Sequence, residues 1–418
     1  MARYVGVDKT RIIWVSDIKP SEDAILVPNV LDSVDDATLM SQYIYDDRGF
    51  VHRNPKKEIK DLKIAFVGVW KIQCGISTYL EFLLPEMVKH ISDYRIFCEI
   101  GDSVEQTDKV IPCWKRGESL NNLKSQVLAF QPDVILVQHE YGIFPDARRW
   151  LSFISSIQNT KTFVMFHSIY HHQDKTICEA VVPNIMVHTE LAKKVLVETK
   201  GIAKPIHVIP HGCHVNPNKP RLWNLYKSDH TFMQFGFGFE YKGWENSLEA
   251  CAILKQKYPD VFFTGLFSES KFSMNIHDRY YDKLSHLIQD MDLGDNCSII
   301  RGYQSDEVLD SFFRINKCAI FPYRDNGDHT VYGVTGAARI AMKSGIPVVT
   351  SSVPFFYDLT GTCPQANNPK DLAAEIEKMW AAPQVQVEKQ NAFLVQNSWA
   401  NVAQKYLEVL SGKDSKGD

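Results

Sequence analysis

Three things are scarce in this 418-residue sequence, and each scarcity removes a class of protein. The nine cysteines, at 74, 98, 113, 178, 213, 251, 297, 318 and 363, are odd in number and scattered, with no C-x-x-C pair. They read as reduced thiols, mostly in the core, and a structural zinc site is excluded. No apolar run approaches the ~18 residues that a membrane span needs, and the N-terminus lacks a charged-then-apolar leader, so a cytoplasmic protein, with peripheral contact at a membrane as an option, is expected. There is no basic excess either: Lys+Arg 46 against Asp+Glu 50 gives −4, which disfavours a globally basic nucleic-acid binder. What is present is an average soluble composition, 44% hydrophobic and 23% charged, in a chain long enough for two or three domains.

Residues 1–60 alternate short β-like runs ("RYVGV", "RIIWVSD", "AILVPNV") with polar turns and read as a small β-rich appendage or a domain-swapping arm. The pattern then changes. "LKIAFVGV" is a buried-strand run, and the segment after it has Ile76, Tyr79, Leu80, Leu83, Leu84 and Met87 at helical spacing. Strand and helix patterns continue to alternate through "DVILVQ", "KTFVMF" and "NIMVH", and a second series runs from "TFMQFGF" to "IPVVTS". The fold class is therefore α/β, with two Rossmann-like doubly wound domains facing a cleft. The expected boundaries are 61–215 for the first, 216–385 for the second, and 386–418 for one long helix that crosses back toward the first domain and ends in a polar tail. Between Lys193 and Lys227 lie seven Lys/Arg and one acid, Glu198, with prolines at 205, 210, 217 and 220. That stretch reads as a basic linker near the cleft, a place for phosphates or an anionic acceptor.

Five local signals carry chemistry. In "GVWKIQCGISTY", Gly75 opens a helix whose N-terminal N–H groups suit a phosphate; the spacing is not a dinucleotide fingerprint, which disfavours a nicotinamide dehydrogenase. In "VQHEYGIF", His139 and Glu140 are released where a strand ends, in position to orient or deprotonate a hydroxyl. In "FVMFHSIYHH", His167 is the candidate at the strand end; His171 and His172 follow, but the spacing fits no metal motif. In "FGFGFEYKGWENSLEA", Gly236 loosens the loop and Lys242 precedes a helix, a point charge suited to a diphosphate. In "FPYRDNGDHTVYGVTGAARIAMKSGIPVV", the amides of Thr335, Gly336 and Ala337 open a helix as a phosphate cradle.

This ordered set resembles the retaining GT-B glycosyltransferases of family four, the glycosyl transferases group 1, over about residues 62–410. The resemblance rests on "CGISTY", "VQHEYGIF", "FH" at 166–167, "VHTELAKKVL", "VIPHG", the "G…KG…A" block at 236–250, "FPYR" at 321–324 and "TGAARIAMKSGIPVV" at 335–349. It implies a metal-independent enzyme without a cofactor that moves a sugar from a nucleotide-diphosphate sugar, bound in the second domain, to an acceptor hydroxyl entering from the first. The implied acceptors are a surface glycan or a lipid-linked sugar; the β-rich front, loosely similar to small modules of phage proteins, adds a hydroxymethylated DNA base as a further option. It further implies that His167 lies beside the donor sugar, that Gly75 faces the diphosphate, and that Lys242 and residues 335–337 hold it. The sequence departs from the pattern at Phe237, where an arginine is common, at Tyr332 and Ile340, where two glutamates are common, and at Cys74 in place of a glycine. Arg324 fits a variant form that would supply the missing cation. These departures motivate an alternative, a degenerate nucleotide-sugar or glycan-binding protein without catalysis.

Overall fold

The computed structural model describes residues 3–8, 11–16, 24–27, 35–36, 39–40, 43–46, 49–52, 58–170, 177, 181–220, 228–269, 274–325, 327 and 330–412. His171 and His172 fall outside the described residues.

The front of the chain forms an antiparallel sheet of its own, from β1 (Tyr4–Asp8), β2 (Arg11–Ser16), β3 (Ile25–Leu26), β4 (Tyr43–Asp46) and β5 (Gly49–His52), in the order β3-β1-β2-β4-β5. Val5, Ile12, Val27 and Leu39 give it a separate small core. Among the described residues no strand pairing joins it to the other sheets.

The first domain is built from β6 (Lys63–Gly68), α1 (Gly75–Met87), β7 (Asp93–Glu99), β8 (Val110–Trp114), α2 (Asn121–Phe130), β9 (Val134–His139), α3 (Ala147–Ser156), β10 (Lys161–Phe166), β11 (Ser168–Tyr170), β12 (Asn184–Val187), α4 (Glu190–Lys200) and β13 (Ile206–Val208). All of these strands except β11 form a parallel sheet in the order β13-β12-β10-β9-β6-β7-β8. The central strands are continuous apolar runs because helices cover both faces, and the sheet separates two apolar clusters, one around Trp150 and Phe166 and one around Phe66 and Tyr406. Helix ends follow sequence chemistry: Asp146 accepts from the N–H groups of Arg148 and Arg149 to start α3, Thr189 accepts from Ala192 to start α4, and Gly201 closes α4 at φ 65°. Only the front of the basic stretch expected as a linker, with Lys193, Lys194 and Lys200, therefore lies in a helix of this domain, α4.

The second domain contains β14 (Thr231–Phe237), α5 (Trp244–Lys255), β15 (Phe262–Ser268), α6 (Met274–Asp290), β16 (Cys297–Arg301), α7 (Asp306–Ile315), β17 (Ala319–Phe321), β18 (Val331–Gly333), α8 (Gly336–Lys343), β19 (Val348–Thr350), α9 (Pro369–Ala381) and α10 (Pro383–Gln396). Its parallel sheet runs β16-β15-β14-β17-β19. The predicted long terminal helix is instead two. After α10 the chain breaks at Asn397, Ser398 accepts from the Asn401 N–H, and α11 (Trp399–Ser411) starts anew. The break is fixed where the chain crosses between domains: Cys213 N–H donates to Asn397 O at 2.8 Å and Trp399 N–H to Cys213 O at 3.1 Å. Helix α11 packs on the first domain, where Tyr406 and Tyr79 hydroxyls lie 3.0 Å apart and Lys161 Nζ donates to Leu410 O at 2.8 Å.

A second link joins the two domains. Strand β11, directly after His167, pairs antiparallel with β18, directly before α8, in the register Ser168↔Gly333, Ile169↔Tyr332, Tyr170↔Val331. Among the described residues no helix is long and apolar enough to cross a membrane, and the eight described cysteines are free thiols.

Candidate active site

Between the two parallel sheets, at the C-terminal ends of their strands, lies a cleft of about 330 Å³. This is where the ends of several strands release polar side chains without breaking the apolar interior. Of the residues singled out from sequence, Glu140, His167, Lys242, Gly75, Gly236, Thr335, Gly336 and Ala337 line it; His139 and Arg324 do not.

Two helices point their N-termini into the cleft, one from each domain. At α1 the N-cap is Cys74, which makes no side-chain hydrogen bond to the first turn, so the orphan N–H groups starting at Gly75 face the cleft and carry the partial positive charge of the helix end. At α8 the cap is Thr335, whose Oγ1 accepts from the Ala337 N–H at 3.3 Å. The Ala337 amide, expected as part of an open cradle, is thus already engaged by its own cap, and the half-buried Gly336 is left as the start of that helix.

Lys242 is the principal cation. Its turn is held by Gln234, which donates to Lys242 O at 2.9 Å and accepts from Ser247 Oγ at 2.5 Å. The side chain is 8% exposed, and its ammonium sits 3.9 Å from the ring centroid of Tyr323 and 4.8 Å from that of Tyr241. Among the described residues it forms no ion pair. Burial lowers its pKa to about 7, because the apolar wall disfavours the charge and the aromatic faces return only part of the lost hydration. The next residue, Gly243, is left-handed at φ 69°, and a Cβ there would lie 1.9 Å from Pro322 O. Gly243→Ala must therefore push apart the lysine turn and the strand end carrying Tyr323. We expect a loss of at least ~3 kcal/mol, on the order of 10 °C in a melting curve, which thermal unfolding would check.

Arg324 does not reach the cleft. It donates to Asn246 Oδ1 at 2.8 Å and lies 3.4 Å from Glu245, a buried carboxylate that also accepts from Tyr280 at 2.6 Å and Lys283 at 2.9 Å. A buried acid that needs partners has claimed the arginine. His139 is likewise withdrawn: fully buried among Phe144, Trp150 and Phe166, with neither ring nitrogen hydrogen-bonded to the protein and a pKa lowered by burial to about 3. It is the last residue of β9, and its side chain turns into the core beneath the helices and not toward the rim. Glu140, one residue on, does line the cleft. Its Oε2 accepts from the Gly142 N–H at 2.5 Å, and burial raises its pKa. The basic stretch contributes none of its described lysines to the lining. Lys219 pairs with Asp310 at 3.0 Å, and Lys194 lies 3.9 Å from Glu198. Among the described residues the basic stretch thus gives no support for a DNA acceptor.

Tyr79, His211, Trp399 and Arg339 in the cleft wall, and His188 behind His167, escaped sequence reasoning. Tyr79 from α1 packs edge-on against His167, His211 and Trp399, at ring distances of 4.8, 5.0 and 5.0 Å. His188 stands 5.0 Å from His167. Arg339 on α8, 3% exposed, pairs with the largely buried Asp358 and donates to Thr335 O at 2.8 Å. The "VHTELAKKVL" and "VIPHG" blocks contained the two histidines, but only the fold shows that they meet. No cluster of His, Cys, Asp and Glu among the described residues could hold a metal ion.

The strand pair β11–β18 joins the His167 loop to the approach of α8. Gly333 is required at that joint, since a Cβ would lie 2.7 Å from His167 O. Gly333→Ala is expected to unpair the two strands and leave both cores folded, so small-angle scattering should show a larger radius of gyration; an unchanged curve would mean that the pairing does not hold the domains together.

Two facing Rossmann-like domains, a cleft between them and a returning C-terminal helix define a GT-B fold. Residues 216–393 match the family model of the glycosyl transferases group 1, so the second domain of this GT-B protein is of that type. Solved structures agree on the fold. A glycosyltransferase from Rickettsia africae is 16% identical with a TM-score of 0.66, covering 85% of this chain and 100% of that one. Sucrose-phosphate synthase from Thermosynechococcus elongatus is 14% identical at 0.65, covering 84% and 99%. Anabaena HepE in complex with UDP is 14% identical at 0.62, covering 84% and 100%. No curated protein matches the chain.

Proposed function

We propose that the protein is a retaining, metal-independent glycosyltransferase that moves a sugar from a nucleotide-diphosphate donor to an acceptor hydroxyl on a glycan or lipid-linked sugar. One observation carries the reading. A desolvated lysine with no carboxylate partner among the described residues and two helix N-termini from opposite domains converge on one cleft.

That arrangement suits a diphosphate more than any neutral ligand. As the glycosidic bond breaks, negative charge grows on the leaving phosphate, and fixed donors stabilise it more in the transition state than in the ground state. Lys242 is the point charge and the ends of α1 and α8 are the fixed dipoles. Retention without an enzyme nucleophile requires front-side attack, in which the departing phosphate oxygen takes the acceptor's proton; Glu140, which lines the cleft from the first-domain side, is assigned to orienting the acceptor hydroxyl. His167 shapes the wall beside the sugar. The UDP in the Anabaena structure supports a nucleotide in this kind of cleft.

A panel of nucleotide sugars, with release of nucleoside diphosphate as the readout, tests the proposal. One donor should be turned over, with slow hydrolysis in the absence of acceptor. Binding of nucleotides with no turnover of any donor by the folded protein, acceptors included, would overturn it.

A further inference from the structure

The floor of the cleft holds a chain of hydrogen bonds whose direction can be worked out from one end. His188 Nδ1 lies 2.9 Å from Ile209 O, and a carbonyl only accepts, so that nitrogen carries a proton. His188 is 3% exposed, and Arg339 is the cation whose field acts on it; both facts keep the ring neutral. Its Nε2 is therefore a lone pair. His167 Nδ1 lies 3.0 Å from it and must donate. His167 is itself buried beside His188, with no carboxylate bonded to its ring, so it too is neutral and its Nε2 accepts.

The atom facing that nitrogen, 2.7 Å away, is placed as Gln138 Oε1. Two acceptors cannot meet at that distance, and oxygen and nitrogen of a glutamine are exchanged by a half-turn of the amide. The half-turn also gives Gln138 Nε2, otherwise buried without a hydrogen-bond partner, a partner in His167. Turned over, the amide N–H₂ donates to His167 Nε2.

We propose that His188 is a positioning residue which, with a reversed Gln138 amide, holds His167 as the neutral Nδ1–H tautomer within a one-way hydrogen-bond chain from Gln138 to Ile209. The chain ties β9 and the strand ends after β10, β12 and β13 to a single ring. It also settles what His167 can do. Both of its nitrogens are spent inside the protein, so its side chain offers the cleft a fixed carbon edge and neither takes nor gives a proton during transfer. This assignment stands whether or not the cleft transfers sugar.

The decisive experiment is nitrogen NMR of the full chain labelled with ¹⁵N-histidine, with His167→Gln used to assign the signals. The expected His167 pattern is one protonated Nδ1 and one unprotonated Nε2, unchanged across neutral and mildly alkaline pH. An imidazolium pattern, with both nitrogens protonated, or an Nε2–H tautomer would overturn the assignment. His188→Leu should change the tautomer ratio of His167 by at least ~10-fold, and His188→Gln, whose amide oxygen can accept from Nδ1–H, should restore it. A His167 pattern unaffected by His188→Leu would show that His188 does not position it. Should the leucine variant fail to fold, the wild-type spectrum still decides the tautomer.

Discussion

Replacing Lys242 by methionine is expected to cut sugar transfer by at least ~100-fold, the scale of losing one transition-state donor, and at the same time to make the protein more stable. The two effects have one cause. Burial moves the lysine from 10.5 to about 7, so at pH 7 and below the fold carries an ammonium against the rings of Tyr241 and Tyr323 at the expense of its hydration. Methionine fills the same aromatic cage without that cost, and a gain on the order of 2–4 °C, or ~1 kcal/mol, is expected in a melting curve. The sign of the pH dependence follows. Between about pH 7 and pH 10.5 the unfolded wild-type chain binds a proton that the folded chain does not, so wild-type stability rises with pH across that window and the advantage of the variant disappears. Donor capture runs the opposite way, because only the protonated lysine meets a diphosphate: kcat/KM should fall above about pH 7 in the wild type, and the variant should lack that limb. Equal activity in the two proteins would remove Lys242 from the mechanism.

Trp399→Ala should have the largest effect on the fold. The indole, 6% exposed, begins α11 and packs on Tyr79, Phe82 and His211 at ring distances of 5.0, 5.8 and 5.6 Å. Truncating a buried indole costs about 3–5 kcal/mol, and here it also unseats the helix that returns to the first domain. We expect a fall in melting temperature on the order of 10 °C and early proteolytic loss of the C-terminal helix. A fall of less than ~3 °C, with the helix still protected, would show that α11 is held by its other contacts. Because Trp399 also lines the cleft, activity should fall with stability in this variant, whereas the two part company at Lys242.

The contrast between these residues shows which parts of the site were legible in the sequence. Lys242 stood out because the glycines around it and the helix after it form a local pattern, and strand-end loops reach the cleft by topology alone. The alternation of apolar strands and amphipathic helices likewise carried both parallel sheets. What could not be read was anything set by a partner distant in sequence. His139 and Glu140 are neighbours, and only the packing of Phe144, Trp150 and Phe166 around the first decides that it is core and the second cleft. Arg324 had the right charge in the right block, yet Glu245 and Asn246 hold it elsewhere. The terminal helices read as one because no proline or glycine separates them; their break depends on backbone hydrogen bonds to Cys213. His188, His211 and Arg339 lay within blocks that were noticed, but a strand-end histidine and a helix arginine carry no mark of function until the fold brings them together.

The central claim, that Lys242 meets the diphosphate of a nucleotide, is tested most directly by calorimetry of nucleoside diphosphate binding near pH 8 in buffers of different ionisation enthalpy. A lysine with a pKa of about 7 is mostly neutral there, and a bound diphosphate raises its pKa. The account therefore predicts that binding to the wild type takes up close to one more proton than binding to Lys242→Met. Binding with the same proton count in both proteins, or no binding of any nucleoside diphosphate, would contradict it.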